Sequence, residues 1–250
     1  DVKASSIAGD DDIISFENVS FSYDQSKKSL DNIFINIKEN SMVAIVGPNG
    51  SGKSTFIKLL LGFYPPDGKI TLCKKAFGEY KLSEIREKIS YVSQQPVLFN
   101  ATVFENISYG KPDATMEEVI DAAKLANIHD FITSLEDGYQ SIVGEDGVTM
   151  SIGQKQRIII ARALIKDAPI ILFDEATSAL DVENEGDIIQ TLKNIKGKKT
   201  IVIVTHRLSS IQDADLILVL KDGQIIDKGD HKYLLKNSSV YKKLYELQSV

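Results

Sequence analysis

The stretch GPNGSGKST (residues 47–55) matches the pattern G-x-x-x-x-G-K-[ST] in full. Gly47, Gly50 and Gly52 let the backbone turn tightly and aim its N–H groups at phosphate oxygens, with Pro48, Asn49 and Ser51 between them. Lys53 places a point charge near the β and γ oxygens. Ser54 offers a hydroxyl to Mg²⁺, and Thr55 follows inside the helix that starts there. The positive end of that helix adds to the same field. The bland alternative is a chance glycine-rich turn. It is disfavoured because an apolar strand pattern, MVAIV (residues 42–46), precedes the loop and a helical pattern, STFIKLLLG, follows it.

A second group of chemically capable residues closes the run IILFDE (residues 170–175). Asp174 stands at a strand end, where a Mg²⁺ partner belongs. Glu175 is next and is placed to orient or deprotonate water. Taken alone, two acids at a strand end are ordinary surface residues; the phosphate loop gives them their meaning. A third stretch, MSIGQKQRIIIARALI (residues 150–165), opens a long helix. Ser151 and Gln154 have the spacing of a capping box. Either this is a helix start and nothing more, or its free N–H groups await an anion.

These residues need elements to position them. Residues 13–23 (IISFENVSFSY) and 33–38 (IFINIK) alternate apolar and polar, as half-buried strands of an antiparallel layer do. The continuous run at 42–46 reads as a strand buried on both faces. Residues 115–132 carry apolar side chains at helical spacing, with acids in the first turn. After Pro169 strands and helices alternate again: a strand at 170–173, a helix at 183–195, a strand at 200–205 and a hairpin at 215–227. Such alternation implies a largely parallel α/β sheet.

The chain has 250 residues, 43% hydrophobic and 26% charged, the balance of a water-soluble globular domain. Its formal net charge of -6, with Lys and Arg scattered among acids, argues against nucleic acid as the main partner. Cys73 is the only cysteine, so no internal disulfide framework exists. No apolar run approaches the ~20 residues of a membrane-spanning helix. The first twelve residues are small, polar and acidic, a linker or mobile end, and no basic-then-apolar leader is present. The chain starts at Asp1 rather than Met, as a piece of a longer protein would.

The phosphate loop, FDE (residues 173–175), SIGQKQR (151–157), SALD (178–181) and THRL (205–208) all occur with the expected spacing. On these motifs the chain resembles the nucleotide-binding domain of an ABC transporter, from residue 13 onward. The resemblance implies an α/β P-loop NTPase: a RecA-like, mostly parallel sheet core with an antiparallel β subdomain and an α-helical subdomain. It puts a linker at 1–12, the β subdomain and core at 13–95 and 168–250, and the helical subdomain at about 96–167. VGEDG (143–147) matches a segment typical of exporters that touches the coupling helices of the membrane domain. Gln95 departs from the pattern, because many exporters carry an acid there.

The same resemblance implies roles. Tyr23 stacks on adenine, an interaction worth ~1–3 kcal/mol in comparable base–aromatic pairs; taken alone it would be a strand-end surface residue. Gln94 reaches Mg²⁺ and the attacking water, His206 contacts the γ-phosphate, and Asp181 faces a partner subunit. Ser54, Gln94 and Asp174 hold the metal, and Glu175 polarises the water. Two such domains pair head to tail, so that Ser151, Gly153 and Gln154 take the γ-phosphate of ATP held by the other. The function implied is ATP hydrolysis driving export, at the cytoplasmic face of a membrane, with a transmembrane domain fused upstream. Alternatives are a soluble ATPase of the same superfamily and a weakly hydrolysing switch subunit. One departure is sharp: the family signature is L-S-G-G-Q, and Ile152 stands where glycine is usual. If that backbone is left-handed, a β-branched residue strains it; if helical, only crowding matters. A tolerated variant in a homodimer and an asymmetric heterodimer both fit.

Overall fold

The computed structural model describes residues 9, 11–24, 27–145, 147–176 and 182–248. β1 (Asp12–Phe21) and β2 (Leu30–Lys38) precede β3 (Met42–Val46) and α1 (Lys53–Leu60). β4 (Asp67–Leu72), β5 (Lys75–Ala76) and α2 (Leu82–Glu87) lead to β6 (Ile89–Val92). A mainly helical stretch follows: β7 (Ala101–Thr102), α3 (Val103–Ser108), α4 (Met116–Leu125), α5 (His129–Ser134), β8 (Ile142–Val143) and α6 (Ile152–Ile165). Next come β9 (Ile170–Asp174), α7 (Val182–Ile195), β10 (Thr200–Val204), β11 (Leu216–Lys221) and β12 (Gln224–Gly229), followed by α8 (His231–Asn237) and α9 (Ser239–Glu246).

The main sheet has the order β12-β11-β3-β10-β9-β6. Every neighbouring pair is parallel except β11 with the edge strand β12. Both central strands, β3 and β10, are buried at all their positions, as the continuous apolar runs require. Side chains alternate across β3: Val43 and Ile45 enter one core with Phe16 and Phe56, while Ala44 and Val46 enter the other with Ile160 and Phe173. The first core is closed by an antiparallel sheet of order β2-β1-β4-β5. Phe16 of β1 stacks on Phe56 of α1, with ring centroids 4.4 Å apart. The phosphate loop's helix is thereby clamped between the two sheets.

The chain is thus α/β, with a mostly parallel sheet, an antiparallel layer and a helical stretch between β6 and β9. That stretch is organised by caps: Thr102 with Glu105, Thr115 with Glu118 and Ser151 with Gln154 each form a capping box. Its centre is Asn106, fully buried, whose amide accepts from the Phe99 N–H (2.9 Å) and donates to the Phe99 and Thr102 carbonyls (3.0 Å each). Arg162 of α6 donates to the Asn106 backbone and side-chain oxygens at 2.7 Å each.

Two expectations shift and one holds. The helical pattern at 115–132 is two helices, because the chain breaks at Asn127, left-handed at φ 56. Asparagine tolerates that conformation, and its side chain donates to Asp187 at 2.7 Å. β1 stops at Phe21, leaving Tyr23 beyond the strand. The hairpin is present, turning on Asp222 and Gly223 at φ 49 and 80, the signs a tight two-residue turn demands.

Replacing Asn106 with alanine strands Arg162 and several buried backbone groups. The expected loss is about 3 kcal/mol of unfolding free energy in chemical denaturation. A loss below about 0.5 kcal/mol, the range of ordinary surface substitutions, would show that the amide does not organise this stretch.

Candidate active site

The site gathers at the carboxyl ends of parallel strands, where open α/β sheets place their ligands. After β3 the chain enters the phosphate loop with Gly47, Gly50 and Gly52 at φ 155, 75 and 108. The three glycines answer to different constraints. A Cβ on Gly47 would lie 2.1 Å from the Leu220 carbonyl oxygen, and one on Gly52 would lie 2.5 Å from that of Ser29. A Cβ on Gly50 would meet nothing within 4 Å, so only its left-handed backbone demands glycine there.

Lys53 is buried, and its ammonium donates to the carbonyls of Gly47 (2.9 Å) and Pro48 (3.0 Å). Burial pushes its pKa below the usual lysine range, and the charges of Glu175 and Asp174 oppose that shift. Beside it lies a cavity of about 370 Å³ lined by Tyr23, Lys28, Gly50, Ser51, Ser54 and Thr55, among others. Among the described residues, the buried Ser51 hydroxyl has no hydrogen-bond partner. Tyr23 flanks the cavity half-exposed and is held edge-on by Phe21 (4.9 Å) and Tyr64 (5.3 Å). The Thr55 hydroxyl lies 3.4 Å from the Tyr23 hydroxyl. Turned-in amides, a buried ammonium and an aromatic wall suit a phosphorylated aromatic molecule such as a nucleotide.

The acids come next. Parallel pairing sets Asp174 opposite Val204, and the Glu175 amide donates to the Val204 carbonyl at 2.8 Å. Glu175 is left-handed at φ 49, a conformation that costs a non-glycine residue roughly 1–2 kcal/mol. Its side chain is held from two sides. The Gln94 amide donates to one carboxylate oxygen at 2.8 Å, and His206 Nε2 lies 2.7 Å from the other. Gln94 therefore turns its nitrogen to Glu175 and keeps its oxygen available. The Gln94 oxygen, the Ser54 hydroxyl and the Asp174 carboxylate are oxygen donors of the kind hard divalent cations prefer.

Asp174 accepts from the Tyr91 hydroxyl at 2.9 Å. Burial pushes its carboxyl above the usual range. The Tyr91 hydrogen bond pulls it back, the Glu175 charge pushes it up again, and Lys58 and Lys53 pull it down. The Tyr91 hydroxyl is itself held well above the usual tyrosine range by burial and by Asp174.

The capping box at the start of α6 forms as its spacing predicts: Ser151 Oγ accepts from the Gln154 amide at 3.2 Å, and Gln154 Oε1 from the Ser151 amide at 2.9 Å. Ile152 opens the helix with ordinary helical backbone and is 49% exposed, so the strained alternative falls away and only its bulk matters. Among the described residues, no hydrogen bond joins Ser151, Gly153 or Gln154 to the Lys53–Glu175 cluster. The link runs one turn further on, where buried Gln156 donates to the Ser93 carbonyl at 3.2 Å, next to Gln94. Ser178 to Asp181, with the partner-facing role expected of Asp181, lie outside the described residues. Tyr91 and Gln156 were not legible as functional, since a strand tyrosine and a mid-helix glutamine carry no signal of their own.

The fold and site define a nucleotide-binding P-loop ATPase. A family model described as ABC transporter matches residues 30–178, more than half of the chain, and the chain belongs to that family as an ATP-binding domain of the exporter type. It is 46% identical over 237 residues to an ATP-dependent lipid A-core flippase of Shewanella sp. (strain MR-4), covering 93% of this chain and 39% of that protein. It is 47% identical over 238 residues to ABC transporter B family member 2 of Dictyostelium discoideum, covering 94% and 17%. A solved bacterial Atm1-family ABC exporter with ATP bound superposes with a TM-score of 0.88 at 42% identity, over 95% of this chain and 42% of that one. The chain therefore spans well under half the length of these relatives. Among the described residues no helix is long and apolar enough to cross a membrane.

The two loop glycines should separate under substitution. Gly50→Ala is expected to fold and to bind a fluorescent ATP analogue more weakly, because a side chain is disfavoured at φ 75 and pulls the loop backbone off its glycine conformation while clashing with nothing. Gly47→Ala, driven into the Leu220 backbone, is expected to lower the melting temperature as well. Equal melting temperatures for the two variants would contradict this division.

Proposed function

We propose that this domain binds MgATP at the phosphate loop and uses its hydrolysis to drive export across a membrane. In this reading it works at the cytoplasmic face, paired head to tail with a second nucleotide-binding domain and joined to a transmembrane domain. The observation that carries the reading is the double hold on Glu175: Gln94 on one oxygen and His206 on the other. A carboxylate fixed this way, beside a buried lysine, is set to orient water against a terminal phosphate.

Each residue then has a task. Lys53 and the N–H groups of the phosphate loop and of the first turn of α1 take the phosphate charge. Ser54, Asp174 and the Gln94 oxygen are the Mg²⁺ ligands, directly or through water, and the bound ion would neutralise charge on the phosphates. His206 faces the γ-phosphate, and Glu175 accepts a proton from, or aligns, the water. Tyr23 stacks on adenine. Ser151, Gly153 and Gln154 present a helix N-terminus to the ATP held by the partner domain.

The membrane-domain partner is supported by an apolar surface. Val97 and Tyr109 are each 65% exposed and Phe99 is 43% exposed. The Arg162 guanidinium lies 4.8 Å from the Phe99 ring and 5.9 Å from the Tyr109 ring. Such a patch, braced from beneath by the Asn106 centre, suits a docking helix.

Glu175→Gln should retain ATP binding and lose turnover by at least about a hundred-fold in steady-state phosphate release, the scale on which positioned acid–base groups act. Turnover at the wild-type rate would remove Glu175 from the role. Ile152→Gly tests whether the bulk at the second interface is inhibitory. We expect a rise in turnover, consistent with an asymmetric pair of sites; an unchanged rate would make Ile152 a neutral variant in equivalent sites.

A further inference from the structure

The loop that carries His206 is held by a residue far along the chain. Thr205 is buried, and its hydroxyl accepts from the Arg207 amide at 2.9 Å, which turns the chain tightly just after β10. Past that turn the backbone of Leu208 is met by Gln248. The Gln248 side-chain oxygen accepts from the Leu208 N–H at 2.8 Å, and its nitrogen donates to the His206 carbonyl oxygen. A primary carboxamide carries one acceptor and one donor on a single planar group. That pair matches the N–H of one residue and the C=O of the residue two before it.

Gln248 is itself presented from a rigid mount. Its own amide donates to the Tyr245 carbonyl at 3.1 Å, extending the last turn of α9. The helix is capped by Ser238, whose side chain accepts from the Tyr241 amide and donates to Asp227 of β12 at 2.5 Å. Tyr241 is fully buried, with its hydroxyl 2.8 Å from His231 Nδ1 of α8. The order of contacts thus runs from the α8–α9 pair through Gln248 to the His206 backbone, and from His206 Nε2 to Glu175.

We infer that Gln248 is a positioning residue for hydrolysis: it fixes the His206 loop, and through it the orientation of Glu175, without touching nucleotide. The inference rests on the roles proposed above for His206 and Glu175. Losing the clamp frees His206 to rotate away from Glu175 while leaving the phosphate loop and the aromatic wall intact. A misplacement of this kind acts on kcat rather than on binding.

The test is made on the full chain. Gln248→Ala is expected to lower kcat on the order of ten-fold with the KM for ATP unchanged, because about an ångström of misplacement is costly in a positioned site. Gln248→Glu, which keeps the acceptor for Leu208 but sets a carboxylate against the His206 carbonyl, should be impaired to at least the same degree. Leu247→Ala, its exposed neighbour, should match wild type. Amide hydrogen exchange should rise in the Gln248→Ala variant for the peptide spanning residues 205–211 and nowhere in the phosphate loop. Unchanged kcat, or a raised KM with exchange spread through α8 and α9, would overturn the inference. His206→Ala, assayed alongside, keeps the two levels apart. Wild-type turnover in that variant would sink the proposed role of His206. Impaired His206→Ala beside normal Gln248→Ala would sink only the role of Gln248.

Discussion

The whole site depends on how one strand ends. β9 lies between β10 and β6 in parallel register, so its last residue, Asp174, arrives level with Val204. The Glu175 amide then makes one more bond, to the Val204 carbonyl, while its backbone turns left-handed. That single turn sends two successive carboxylates toward the loop after β3 instead of onto opposite faces of the sheet. The cost, of order 1–2 kcal/mol, is offset by a sheet buried on both faces, which leaves the strand no other place to stop.

Three side chains from two segments then converge on Glu175 and Asp174. Gln94 arrives after β6, Tyr91 from within β6, and His206 after β10. β6, β9 and β10 are neighbours in one sheet, so strand spacing brings these segments side by side, and the turns past the strand ends aim Gln94 and His206. Lys53, in contrast, is set by the phosphate loop and by α1, which is pinned from the other side by Phe16. The electrostatic balance reflects this. Burial disfavours the charge on Lys53 and on Asp174 alike, and each offsets part of the other's penalty. A site of this kind holds its charges in readiness for a phosphate without neutralising them in a closed ion pair.

Much of this was legible in the sequence because the signals were local. The phosphate loop declares itself by glycine spacing, and the three glycines do sit at positive φ. The cap at Ser151 follows from residues three apart. The two-faced burial of β3 follows from an unbroken apolar run. What escaped was non-local or depended on a single residue. The break at Asn127 was hidden because apolar spacing continues across it. Tyr91, Gln156 and Gln248 each act through one hydrogen bond or one pair of them to a residue more than 35 positions away. No periodicity encodes such contacts. Ile152 lay in between: the sequence flagged the residue, and the backbone decided that its effect is bulk and not strain.

The central claim is that Gln94, Glu175 and His206 act as one unit. A double-mutant cycle measures that directly. Single-turnover hydrolysis is compared for Gln94→Ala in the wild-type and Glu175→Gln backgrounds. Because residues acting as a unit are strongly non-additive, the account predicts that removing Gln94 costs much less once Glu175 is replaced. The same fold-loss in both backgrounds would contradict it.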